Sequence, residues 1–148
     1  MVPEFMPNGN LPPGIHRATW EELCERFGHT PRRRSLLQGL SAALKQLSRA
    51  GCTLVYIDGS FVTAKEIPGD YDLCWSIERV SPEKLDPSLL DFSPEGRVVM
   101  KGKYLGDLFP AEIPEGASGK AFLDFFQIDK ETGDPKGIVA LDIGGFDD

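Results

Sequence analysis

The sequence predicts an α/β fold, equally described as α+β, in which a small mixed β-sheet is flanked by helices. Three observations predict it. Leu37, Leu40, Leu44 and Leu47 recur at steps of three and four within residues 31–50, the pattern of one long amphipathic helix. Residues 53–57, 71–77 and 138–143 are short, mostly apolar runs rich in β-branched and aromatic side chains, which suit strands. At 148 residues, 41% apolar and 26% charged, the chain has the size and composition of a single globular domain, spanning 1–148.

Taken in order, residues 1–18 are rich in Pro, Gly and Asn and read as an extended arm rather than a regular element, anchored by Phe5, Leu11 and Ile15. Thr19 and Glu22 have capping-box spacing and predict a short helix over residues 20–27, with Gly28 as its stop. Thr30 followed by Pro31 starts the long helix, and Gly51 ends it. Its first turn carries Arg32, Arg33 and Arg34, a run that reads as a solvated helix start. Residues 81–90 suggest a short helical piece broken by Pro87, and residues 93–96 a turn. Residues 97–105 suit a helix, and residues 105–113 an edge strand, because Pro110 is hard to place in a central one. Residues 118–127 fit either a helix or a strand. Residues 138–143 form the final strand, followed by a Gly-Gly-Phe-Asp-Asp tail.

Composition narrows the function classes. A net charge of −7 argues against an extended nucleic-acid groove, which needs a basic surface. No apolar run approaches the ~20 residues of a membrane span, and the first ten residues lack the basic-then-apolar form of a signal peptide. Three cysteines, Cys24, Cys52 and Cys74, give neither a paired disulfide framework nor CxxC spacing, so a reducing, cytoplasmic setting is expected. His16 and His29 lack metal-ligand spacing and read as structural or exposed.

The chemistry concentrates between the first two predicted strands of the core. One strand closes in Gly59-Ser60, nine residues follow, and the next opens with Asp70-Tyr71-Asp72. Glycine at a strand end lets backbone N–H groups and the Ser60 hydroxyl come close to a phosphate. A helix starting after Ser60 would add its N-terminal donors. On strand periodicity Asp70, Asp72, Cys74 and Ser76 share one face, while Tyr71, Leu73, Trp75 and Ile77 share the other. Two aspartates side by side repel when ionised, and a hard divalent cation relieves the repulsion while holding phosphate oxygens. Thr63 and Lys65, in the intervening loop, are further nucleotide-binding candidates. Lys101, Lys103 and Lys120 are candidates for a basic rim on the acceptor side.

Gly59, Ser60, Asp70 and Asp72 resemble the signature of the nucleotidyltransferase superfamily with a DNA polymerase beta-like palm, in which Gly-Ser precedes Asp-x-Asp by a short loop. From Asn8-Gly9-Asn10 through Phe125-Phe126-Gln127 and Pro135-Lys136-Gly137, the chain is further similar to small bacterial proteins of that superfamily with no assigned function. The resemblance implies a palm-like fold and transfer of a nucleoside monophosphate from an NTP to a hydroxyl on protein, RNA or a small molecule. It implies Mg²⁺ (or Mn²⁺) held by Asp70, Asp72 and a third carboxylate on a later strand. Asp107 is the first candidate for that third position, Asp124 the rival if its segment is a strand, and Asp142 another. Relatives usually add a helical acceptor-binding domain, which here only the N-terminal helices and residues 114–148 could supply, with a homodimer or a partner protein expected to complete the site. The alternative is a catalytically weak nucleotide-sensing or protein-binding module, by analogy with toxin–antitoxin and defence components.

Overall fold

Thr30 and Pro31 start the helix that organises the fold. In a computed structural model, which describes residues 2–146, the elements run β1 (Gly14–Ala18), α1 (Trp20–Phe27), α2 (Pro31–Arg49), β2 (Leu54–Asp58), β3 (Tyr71–Trp75), α3 (Pro94–Tyr104), β4 (Gly106–Pro110), α4 (Phe122–Phe125) and β5 (Gly137–Asp142). Single 3-10 turns occur at Ser60–Val62, Pro82–Lys84 and Pro87–Leu90. The strands form one sheet in the order β1-β5-β2-β3-β4. β2 runs antiparallel to β3 and β5, while β1 is parallel to β5 and β4 is parallel to β3. The sheet is therefore mixed and flanked by helices, as the sequence predicts.

The caps explain where the helices begin. Thr19 and Glu22 exchange side-chain-to-backbone bonds at 3.1 and 3.2 Å, forming the capping box of α1. The Thr30 hydroxyl accepts the Arg33 N–H at 3.1 Å, and Pro31 occupies a first-turn position where its missing N–H costs nothing. Ser93 does the same for α3, accepting from the Gly96 N–H at 3.1 Å. The segment 93–96 is thus the capped start of α3 rather than a free-standing turn.

Strand alternation separates two faces. Val55, Ile57, Tyr71, Leu73, Trp75, Leu108, Val139 and Leu141 are buried in the main core with Leu36, Leu40, Leu44 and Leu47 of α2. Each such leucine contributes about 1.5–3 kcal/mol by burial. Trp75 lies opposite the aspartates, as periodicity predicts. The other face carries a smaller cluster of Cys74, Ala111 and Phe126, with Phe109, Phe122 and Phe125 packed on it.

The structure changes or completes the reading of four regions. Residues 14–18 are not part of an irregular arm, because they pair in register with Gly137–Leu141 as an edge strand. β5, the last strand in sequence, lies inside the sheet between β1 and β2. The ambiguous segment 118–127 contains one helical turn, α4. The arginine run is not simply solvated, since Arg33 is fully buried. β4 is an edge strand, in keeping with Pro110. Of the C-terminal tail, Phe146 packs edge-on against Trp20 at 5.3 Å, and Asp147 and Asp148 lie outside the described residues.

Candidate functional site

Register brings the acidic residues together. Asp58 at the end of β2 is the cross-strand partner of Asp72, and Asp72 is the partner of Asp107 on β4. Cross-strand partners project to the same face about 5 Å apart, so three aspartates form a row across β2, β3 and β4. Asp70, two residues before Asp72, adds a fourth carboxylate near the β4 side. The third strand-borne acid is Asp107. Asp124 is exposed on α4, and Asp142 is exposed at the opposite end of β5, paired with Leu54 rather than with Asp58.

Gly59 makes the row reachable. Its φ of 85° is a left-handed-side conformation that favours glycine, and an added Cβ would sit 2.7 Å from Asp72 Oδ2. The turn that follows is a single 3-10 turn, Ser60–Val62, so the helical anion site envisaged after Ser60 is not formed. Gly59, Ser60 and Thr63 instead line an open cleft of about 540 Å³ together with Asp58, Asp72 and Lys136. Asn8 and Asn10 of the N-terminal arm close one side, where Asn10 Nδ2 donates to Asp129 Oδ2 at 3.1 Å. Lys65 is exposed and does not line this cleft.

The loop between Ser60 and Asp70 is held by the arginines of α2. Arg33 donates to the carbonyls of Phe27, Phe61, Thr63 and Lys65 at 3.2, 2.6, 2.8 and 2.5 Å. Arg32 donates to Pro68 O at 3.1 Å and to Gly69 O. A buried guanidinium thus ties the loop carbonyls to the helix, which fixes how Gly59 and Asp70 face each other.

Electrostatics divide the site into two halves. Asp58 is buried and faces the Lys136 ammonium at 3.3 Å, and burial raises its pKa against the pull of that lysine. On the β4 side, Lys101 of α3 bridges Asp70 and Asp107 at 3.0 and 3.3 Å, while Arg97, one helical turn earlier, reaches the same Asp107 oxygen at 3.4 Å. The hydrogen bond to Asp70 raises the Lys101 pKa. Among the described residues Asp72, between the two halves, has no ion-pair partner within 4.0 Å. Burial, followed by the negative charges of Asp58, Asp70 and Asp107, pushes its pKa up to about 7. A central carboxylate with this much uncompensated charge is a group that a cation would stabilise.

Carboxylate oxygens are the donor type that a hard divalent ion prefers. Asp107 Oδ1 is buried and accepts no hydrogen bond, leaving an oxygen available. Lys101 already places one cationic group between Asp70 and Asp107. Among the described residues no group of three or more His, Cys, Asp or Glu side chains is placed to hold a metal ion, and the lysine lies where two of the carboxylates would share one.

Of the three lysines expected at a basic rim, Lys101 is at the site, Lys103 is drawn away to Asp86 at 2.5 Å, and Lys120 is exposed. His16 bonds the Pro12 carbonyl at 2.6 Å and His29 is exposed, in keeping with structural roles. Among the described residues Cys24, Cys52 and Cys74 form no disulfide. Asp58 and Lys136 are the site residues that sequence reasoning missed. Extending β2 by one residue would have put Asp58 on the face of Tyr56 and, in an antiparallel pair, opposite Asp72. Lys136 lies just before β5 and carried no local signal.

With this geometry in place, comparison with known proteins decides the family. The chain belongs to DUF6932, a family of unknown function. The family's sequence pattern covers residues 3–142, which includes every strand, both arginine clamps and all four site aspartates. No curated protein and no solved structure matches the chain. Among the described residues no helix is long and apolar enough to cross a membrane.

Proposed function

We propose that this chain is a metal-dependent nucleotidyltransferase that moves a nucleoside monophosphate from an NTP to a hydroxyl acceptor on protein, RNA or a small molecule. The observation that carries the proposal is the aspartate row Asp58–Asp72–Asp107, whose first two members line the same cleft as Gly59 and Ser60. The 540 Å³ cleft is large enough for a nucleotide. In it the Gly59 backbone, the Ser60 hydroxyl and Lys136 meet the phosphates, with Thr63 beside them. Asp70, Asp72 and Asp107 would hold Mg²⁺ or Mn²⁺. When bound, such an ion neutralises charge on the reacting phosphate oxygens.

The transfer balances as follows. The acceptor oxygen forms a bond to the α-phosphorus while the bond from that phosphorus to the β-phosphate bridging oxygen breaks. Pyrophosphate leaves with the electron pair, and the acceptor's proton passes to the Asp107 carboxylate. The protein's own contribution is placement: the β-ladder fixes the carboxylates, and Arg33 fixes the loop that carries the phosphate-binding turn.

A second reading, a nucleotide-sensing or protein-binding module with weak catalysis, is favoured by one observation. Lys101 and Arg97 already neutralise Asp107, and Lys101 also neutralises Asp70. Incubation with each α-labelled NTP, Mg²⁺ or Mn²⁺ and cell extract separates the two. The transferase produces a labelled acceptor, and Asp70→Ala/Asp72→Ala abolishes it. Nucleotide-dependent thermal stabilisation without any labelled product supports the sensor, and neither signal removes both.

A further inference from the structure

Asp72 borders a second recess as well as the nucleotide cleft. On the β4 side of the row a pocket of about 490 Å³ is lined by Phe92, Phe109, Ile113, Phe122 and Phe126, with Asp72 and Asp107 at one end. Its walls are aromatic and ordered. Phe109 and Phe122 stack with centroids 4.5 Å apart and planes 7° apart, and Phe92 stacks on Phe109 at 6.0 Å. Phe92 is 41% exposed and Ile113 43% exposed, so this cluster is not closed off as a core would be. Charged groups at the rim, Arg97, Lys130 and Glu115, are of both signs, and Arg97 lies 5.6 Å from the Phe109 ring centre.

We infer that this aromatic pocket binds a small planar aromatic molecule bearing a hydroxyl group, and that this molecule is the acceptor. The acceptor role rests on the nucleotidyl-transfer proposal above; the binding site itself does not. Three features select the occupant. The exposed Phe92 and half-buried Phe122 rings favour another flat ring over an aliphatic chain. The volume is that of one small ligand rather than of a polymer, and the net charge of −7 disfavours a nucleic-acid strand running through it. Its acidic lining is Asp72, Asp107 and Glu115, and Asp72 borders the nucleotide cleft too, together with Phe125, Phe126 and Lys130. A ring packed against this aromatic wall would place a hydroxyl near the Asp72 and Asp107 carboxylates, on the side from which an α-phosphate in the neighbouring cleft could be attacked.

The test is amide chemical-shift titration of the full ¹⁵N-labelled chain with tyrosinamide, 5-hydroxyindole and adenosine, and with cyclohexanol as the aliphatic control. In separate samples a non-hydrolysable ATP analogue with Mg²⁺ is titrated. At least one aromatic probe is expected to shift Phe109, Ile113 and Phe122 in the wild type. Phe122→Ala should weaken that probe tenfold or more, Phe122→Tyr should retain it, and neither should alter binding of the ATP analogue. Circular-dichroism melting confirms that Phe122→Ala is folded, and Phe92→Ala, at the exposed wall, serves if it is not. The inference is overturned if no aromatic probe shifts these amides, if cyclohexanol binds as well, or if Phe122→Ala and Phe92→Ala leave affinity unchanged. Aromatic binding with no response to the ATP analogue removes the acceptor role and the transferase proposal but leaves the ligand site. The reverse pattern removes the aromatic site alone.

Discussion

The two faces of the sheet are built on opposite principles. The face toward α2 is apolar and closed, with Val55, Ile57, Leu73 and Leu108 fully buried. The opposite face sets Asp58, Asp72 and Asp107 in adjacent registers and leaves a small aromatic cluster open beside them. One face lowers the free energy of the fold. The other holds like charges together at a cost, which is expected where preorganised charge serves a ligand. Substitutions on the two faces should therefore differ in sign as well as in size.

The largest effect is expected at Arg33, which links the closed side to the site loop. Arg33→Met should lower unfolding free energy by about 3–5 kcal/mol, since it strips the partners from buried loop carbonyls. Denaturant unfolding measures this, and a loss below about 1 kcal/mol would mean that water replaces the guanidinium. Gly59→Ala should cost roughly 2–3 kcal/mol through its positive φ and the clash with Asp72. It should also abolish thermal stabilisation by Mg²⁺-NTP.

Asp72 sharpens the contrast by changing the sign. Its folded pKa, about 7, lies above the ordinary value of 3.8. Between those values the native protein binds more protons than the unfolded chain, so metal-free stability falls as pH rises. The penalty is absent below the unfolded value and complete above the folded one. Asp72→Asn should therefore stabilise the metal-free protein at pH 8 by about 1–3 kcal/mol and leave it nearly unchanged at pH 3.5. Melting curves at the two pH values, taken in chelator, show whether the gain depends on pH. The smallest effect is expected at Lys101. Lys101→Met removes a half-exposed ion pair and should change stability by less than about 1 kcal/mol. By freeing Asp70 and Asp107 it should raise Mn²⁺ affinity roughly 3–10-fold, in line with the size of such a pair. Calorimetric titration reads this directly, and weaker binding would show that the lysine helps to organise the carboxylates.

Local signals in the sequence carried the helices and the motif. Capping pairs such as Thr19 with Glu22, and the leucine stripe of α2, are properties of neighbouring residues and can be read without knowing the fold. The common face of Asp70 and Asp72 follows from the period of a strand. Asp107 was legible as one of three choices, because strand order was needed to separate it from Asp124 and Asp142. Asp58, Lys136 and the buried role of Arg33 depend on contacts across many residues. Arg33 bonds carbonyls as far away as Lys65, and Lys136 reaches back to Asp58 from just before the last strand. A run of three arginines looks the same in one dimension whether its middle member faces water or a loop.

The place of β5 has a consequence for how the molecule assembles. The strand occupies the middle of the sheet, yet it follows all the other strands in sequence. A growing polypeptide that has reached only Pro135 holds β2 with one edge bare and β1 with no neighbour, and Lys136 is not yet available to Asp58. Insertion of residues 137–142 seals both gaps at once and delivers the lysine beside the aspartate row. Sheet completion and charge compensation in the cleft thus depend on one segment, residues 136–142. Long-range closure of this kind slows folding. A nascent chain arrested before Gly137 is expected to remain open to chaperones and proteases, whereas one released after Asp142 should resist them.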